Sequence, residues 1–502
     1  MTKERVRLLV ACVATLAVVL PLAYLWQQSR VPATYSVMEM GYLDYGGGSR
    51  TAPALAGGGH DMTGMQGGHA MPDTRSVADL TVGTDRPADK VVHLVARKET
   101  VRLASGAKVD GYSLNGASPG PLVEVTEGQL LEVHLRNDNV PDGITLHWHG
   151  LDVPNAEDGV AGVTQDAVLR GQEHTYRFVA EQAGSYWYHS HQVSHEQVVR
   201  GLLGPLVVLP RSPEPQTLDV PVVSHVYAGT PTLDGRTGDV AVPARPGQRV
   251  RLRLINTDNG PVRAWAGAPY TVLAVDATDV HEPAPVSGRT VVVTAGGRVD
   301  LEVTVPQDGS AVRVQVGGAS ALVVGPEGSR AAATPEPARE LDLLSYGAPA
   351  PLGFDPGQAD RSFRYAIGRR PGFVKGRPGL FWTVNGHLFP DIPMYVVHEG
   401  DVVRVRISNS SGDVHPMHLH GHHAVVLARN GVKADGSPLW FDSLNVKDGE
   451  TYDVAFVADN PGIWMDHCHN LKHAKQGLVA HLMYDDVTEP YRVGGDSGNE
   501  PE

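Results

Sequence analysis

The chain has 502 residues, 41% apolar and 20% charged, the composition of a soluble protein too long for one ordinary core. A formal net charge of −14 argues against nucleic acid as a partner, because phosphate binding needs a basic surface. With 57 glycines and 37 prolines between short Val-rich runs, the pattern is all-β, and the 23 histidines are the outlier.

The N-terminus reads as an export element. Lys3, Arg5 and Arg7 precede the apolar run Leu8 to Trp26, interrupted only by Thr15 and Pro21. That length lies between a secretory core and a membrane-spanning helix of ~20 residues. No small-x-small cleavage site follows, so residues 1–30 read as an uncleaved anchor with the cationic end inside, a cleaved signal peptide being the alternative. Either way the body lies outside the cytoplasm, anchored to the membrane or secreted. Residues 31–88 read as a flexible linker broken by Gly46-Gly47-Gly48, Gly57-Gly58-Gly59 and Gly67-Gly68. Met38, Met40, Met62, Met65 and Met71, with His60 and His69, give that linker thioether and imidazole donors suited to Cu(I) capture. A plain spacer with chance methionines is the competing reading.

From about residue 90 the chain repeats. Asn115-Gly116 followed by Glu127 to Asn137 is echoed by Asn385-Gly386 followed by Glu399 to Asn409, with a weaker middle copy at Pro246 to Asn256. Each copy is a turn leading into period-2 alternation, a half-buried strand. A second strand recurs at Gly171 to Ala180, Gly297 to Pro306 and Gly449 to Ala458. The expectation is three tandem β-sandwich domains at 89–210, 216–325 and 340–488, with 489–502 a disordered tail.

The histidines follow the repeat. His147-Trp148-His149 matches His418-Leu419-His420, and His189-Ser190-His191 matches His467-Cys468-His469. Side chains alternate along a strand, so each pair puts two imidazoles on one face, ~6.5–7 Å apart. Eight imidazoles brought together suit a cluster of copper ions better than a four-ligand structural zinc. Cys468 is one of two cysteines, the other being Cys12 in the apolar segment. Its thiol would face away from His467 and His469, so one tripeptide could serve two metal sites. Domain three also has His415 where domain one has Ile144, while His473 has a counterpart in His195. Domain one therefore reads as a mononuclear copper site that lost its thiolate and one imidazole. Domain two, without such pairs, reads as structural, holding the outer two domains apart or together.

Over residues 90–486 these motifs resemble the multicopper oxidase family, in particular its three-domain, laccase-like bacterial members. The resemblance implies cupredoxin-like Greek-key domains and four coppers per chain. It implies a type 1 copper at His415, Cys468 and His473, and a type 2 copper at His147 and His418. A type 3 pair is implied at His149, His189, His191, His420, His467 and His469. It also implies oxidation of a small-molecule or metal-ion reductant coupled to four-electron reduction of O2 to water. The resemblance also implies that Leu478, five residues after His473, takes the axial position of the type 1 site. Asp158 matches the acidic position expected to supply protons. A second acid found in many relatives directly after the last type 1 histidine is here Ala474.

Two oxidase readings compete: phenols and aromatic amines as reductants, or cuprous ions as an envelope copper defence favoured by the Met/His linker. His422 and His423 exceed the ligand count and read as surface or outer-sphere residues. Trp148 and Trp187 read as packing around the cluster, and Met417 as a wall.

Overall fold

The computed structural model describes residues 2–49, 74–212 and 217–502. Within the body, the repeated strands occupy one position three times. Leu130–Asn137 runs parallel to Lys90–Arg102 and antiparallel to Glu173–Val179. Arg249–Asn256 is parallel to Thr217–Tyr227 and antiparallel to Arg298–Thr304. Val402–Asn409 is parallel to Arg361–Val374 and antiparallel to Thr451–Val457. The alternation in Leu130–Asn137 puts Leu131, Val133 and Leu135 into a core and turns Glu132, His134 and Arg136 outward.

Each unit closes its core with a second sheet. The first pairs two four-stranded sheets, the second a six- and a five-stranded sheet, the third a six- and a seven-stranded sheet. Three cupredoxin-like sandwiches in tandem result, each with its own apolar cluster. The histidine pairs sit in the second sheets. His147–His149 pairs with Gly184–His189, placing His147 opposite His189. His415–Leu419 pairs with Ile463–Cys468, placing His418 opposite His467.

The expectation of a flexible linker over 31–88 requires correction for its described parts. Thr34–Tyr35 pairs with Val493–Gly494, and Tyr42–Asp44 adds a parallel edge strand to Pro393–Val397. Tyr35, Val37, Met40 and Val77 are buried in the third core. The reason is local pattern: two short apolar clusters flanking capped turns suffice to dock on an existing sheet edge, although neither reads as a strand alone. Met40 is therefore core, and Met38 packs against it. Met62, Met65, Met71, His60 and His69 lie outside the described residues. The tail 489–502 is likewise ordered, with Val493–Gly494 in a strand and Glu502 buried.

Lys3–Gln28 forms one helix of 26 residues with a mean hydropathy of 2.5 in its most apolar stretch and no buried side chain. At 1.5 Å per residue it is about 39 Å long, enough to cross a hydrocarbon core of about 30 Å. Cys12 lies on this helix and is exposed.

Candidate copper centres

The two histidine-bearing sheets of the first and third domains face each other, and all eight paired imidazoles meet between them, buried. His149 stacks on His418 at 3.7 Å between ring centres, and His147 on His420 at 3.9 Å. Their outward nitrogens are fixed by acceptors. His147 Nδ1 donates to the Asp158 carbonyl at 2.9 Å and lies 3.0 Å from its carboxylate. His420 Nδ1 donates to Asp158 Oδ2 at 3.0 Å, His418 Nδ1 to the Asp442 carbonyl at 2.9 Å, and His189 Nδ1 to the Ser190 carbonyl at 2.9 Å. Carbonyls and carboxylates can only accept here, so these rings carry their proton on Nδ1 and turn an Nε2 lone pair inward.

The inward lone pairs have no proton to share. His147 Nε2 stands 3.4 Å from His418 Nε2, and His420 Nε2 stands 3.2 Å from His467 Nε2. His149 is reversed: its Nε2 donates to Asp442 Oδ1 at 3.1 Å, leaving Nδ1 unpartnered, as are His189 Nε2 and both nitrogens of His191 and His469. Burial, then the neighbouring rings, holds His189, His191, His418, His420 and His469 well below their usual pKa, and burial pushes His149 down to about 3. Neutral imidazoles with converging, unpartnered lone pairs are a cation site and little else. The donor set fits copper.

On the far side of Cys468 lies a second group. Cys468 Sγ is 3.5 Å from His415 Nδ1 and 3.7 Å from His473 Nδ1, and the two imidazole nitrogens are 3.2 Å apart. Burial pushes the Cys468 thiol up, so a metal must displace its proton. A Cys/His/His triangle suits a blue-copper site. Leu478 is fully buried beside it; its carbonyl accepts the Cys468 N–H at 3.2 Å and its N–H donates to the His473 carbonyl at 3.1 Å.

Sequence comparison agrees with this geometry. Family models described as multicopper oxidase match residues 95–213 and 365–487. The multicopper oxidase MmcO of Mycobacterium tuberculosis is 28% identical over 82% of this chain and 92% of its own length. Laccase-1 of Botryotinia fuckeliana is 26% identical over 76% and 80%. The solved multi-copper oxidase from Pseudomonas thermotolerans aligns with a TM-score of 0.64 at 27% identity, covering 79% of this chain and all of the other.

The chain belongs to the multicopper oxidase family. It is a copper-dependent oxidoreductase that uses O2, and the family's complement is four coppers in type 1, type 2 and type 3 sites.

Several residues that shape the oxidase's sites carry no sequence signal. Trp382 packs its ring 4.7 Å from His415 and 4.4 Å from His473, and the Arg369 guanidinium lies over it at 4.4 Å. Domain two, expected to hold the outer domains apart or together, also walls the cluster. A Cβ on Gly296 would lie 2.8 Å from the His149 ring and 2.9 Å from the His469 ring. Arg298 makes a bidentate pair with Asp442, 2.6 Å at each contact, and donates through Nε to the Ser185 carbonyl at 2.8 Å. Burial alone would raise Asp442, but Arg298 and then His149 hold it well below the usual carboxylate range. One guanidinium from domain two therefore ties domain one to the carboxylate that orients His149. Gly150 is required beside it, since a Cβ there would meet Arg298 Nη2 at 2.2 Å.

The remaining expectations divide. Trp187 stacks on His149 at 5.0 Å and donates Nε1–H to the Gly296 carbonyl, lining the cluster. Trp148 does not: alternation turns it away from His147 and His149, into the domain-one core against Tyr176 and Phe178. His422 is buried against Tyr484, and His423 bridges Asp152 and Asp442, so both are outer-sphere rather than surface residues. His195 sits on Ser194–Gln197, meets Lys475 and joins neither group of converging donors. Met417 is buried core.

Proposed function

We propose that this oxidase is laccase-like, taking single electrons from phenols and aromatic amines at His415, Cys468 and His473. We assign the type 2 copper to His147 and His418 and the type 3 pair to His149, His189, His191, His420, His467 and His469. Bound copper supplies one-electron redox chemistry, four electrons and four protons converting O2 to two waters. The polypeptide supplies the rest. Cys468 is covalently continuous with His467 and His469, so one short stretch of backbone joins the entry centre to the cluster. His473, half-buried and close to exposed Lys472, is the ring edge an outer-sphere donor can approach. Trp187 and Gly296 exclude water from the cluster. Asp158, buried between His147 and His420, is placed to hold both rings and to hand a proton towards the cavity they line.

The observation that carries this reading is the pairing of a Cys/His/His triangle with eight converging imidazoles in one chain. Two fungal relatives, laccase-1 of Botryotinia fuckeliana and laccase-2 of Pleurotus ostreatus, are laccases by name and support the laccase-like reading. The iron transport multicopper oxidase fetC of Epichloe festucae, 25% identical over 78% of this chain, keeps a metal-ion reductant in contention. The cuprous-ion reading loses two of its five thioether donors, because Met38 and Met40 pack on the third domain. We further place the body outside the cytoplasm, with Lys3–Gln28 as its anchor. The test is O2 uptake by one copper-loaded preparation with a phenol, Cu(I) and Fe(II). Phenol oxidation should dominate and vanish with the blue colour in Cys468→Ser. A Cys468→Ser protein that oxidised the phenol at the wild-type rate would overturn the assignment.

A further inference from the structure

Unlike His147, His418 and His420, His467 has no acceptor from the sandwich bodies among the described residues. Its Nε2 faces His420, and its Nδ1 is buried with no aligned hydrogen bond. Standing 3.0 Å from that Nδ1 is Glu502 Oε1, itself otherwise unpartnered and 4.0 Å from His191 Nε2. Glu502 is 8% exposed, unusual for a carboxylate.

The segment that delivers it is held along its length. Ala167 N–H donates to Asn499 Oδ1 at 2.8 Å, and Gln192 binds both the Gly498 carbonyl, at 2.7 Å, and the Glu500 N–H, at 2.8 Å. Val193 N–H donates to the Glu500 carbonyl at 2.6 Å, and Ser194 Oγ to Glu502 Oε2 at 2.7 Å. These three partners directly follow the cluster residue His191. Val193 has φ +48°, an uncommon and strained conformation for a β-branched side chain, kept by the contact with Glu500. Ala474, which carries no acid, lines the same cavity as Glu502.

We propose that Glu502 is a positioning residue of the copper cluster. Its carboxylate is the outer-sphere acceptor for His467 Nδ1–H, fixing the tautomer that turns Nε2 inward, while residues 498–502 brace the loop after His191. It thereby supplies from the tail the carboxylate that the Ala474 position lacks. Loss of such a partner commonly costs 10–100-fold in metal affinity. This rests on the ligand assignment given under Proposed function.

The test compares wild type, Glu502→Ala and Glu502→Gln, each copper-loaded and dialysed against a chelator. Copper per chain, blue absorbance and thermal midpoint are read on each. Glu502→Ala should release cluster copper roughly 10-fold or more readily while its blue absorbance stays at the wild-type level. Glu502→Gln keeps an acceptor oxygen and should restore most of the retention. Equal copper retention in Glu502→Ala would overturn the proposal. So would failure of Gln to rescue, or loss of blue and cluster copper in equal proportion with a lowered midpoint. A wild-type protein that never turned blue would instead refute the ligand assignment, so the two failures are distinct.

Discussion

Replacing Arg298 by Met tests how the three domains are held around the cluster. In the folded protein the guanidinium is fully buried and makes both contacts to Asp442 at 2.6 Å, a third to the Ser185 carbonyl at 2.8 Å, and lies 3.6 Å from Asp276. Removing it leaves Asp442 charged, buried and without its main counter-charge, with Asp276 nearby. Breaking one side of a buried pair costs about 3–5 kcal/mol, because the stranded charge keeps its desolvation penalty. At roughly 2–4 °C per kcal/mol for units of this size, the thermal midpoint should fall by about 6–20 °C. The assay is thermal unfolding of the copper-loaded protein, beside the double variant Arg298→Met, Asp442→Asn. The double variant should recover part of the loss, since the stranded Asp442 charge is gone and only Asp276 is left without Arg298. An Arg298→Met midpoint within 1–2 °C of wild type, roughly the effect of 0.5 kcal/mol, would refute the claim that this pair ties the domains together.

Gly296→Ala should lower cluster copper and spare the blue centre. Its Cβ would press on the His149 and His469 rings, and the φ of +80° adds about 1–2 kcal/mol of strain; full copper occupancy on metal analysis would count against it. Leu478→Met should lower the type 1 potential in a redox titration, because a thioether favours Cu(II), and an unchanged value would mean Leu478 is not axial. Deleting residues 31–49 should destabilise the whole oxidase and depress phenol and Cu(I) oxidation alike. It strips Tyr35, Val37 and Met40 from the third core, each about 1.5–3 kcal/mol when fully buried. Deleting only 50–73 is the clean test of copper delivery: Cu(I) oxidation should fall while phenol oxidation holds, and equal loss of both would reject that role.

The family, the all-β fold and the residues that converge as candidate metal donors were legible because they are written in local patterns. Period-2 alternation marks a strand wherever it occurs, and a histidine two residues from another shares its face whatever the surroundings. The repeat then put His147-Trp148-His149 in register with His418-Leu419-His420, and a lone Cys468 between imidazoles needed no partner strand to be noticed. What acts across distance left no such mark. Asp442, Arg298, Gly296, Trp382 and Glu502 are ordinary residues in sequence. Each matters only through a contact with residues distant in the chain: across domains for Asp442, Arg298 and Gly296, within the third domain for Trp382, and from the tail for Glu502. The same holds for the segments 31–49 and 74–88, whose composition suits a linker until an open sheet edge offers them hydrogen bonds. Sequence alone determined which donors this chain offers to copper. Tertiary structure decided how they are aimed, because tautomer, burial and counter-charge come from residues brought in from elsewhere in the chain.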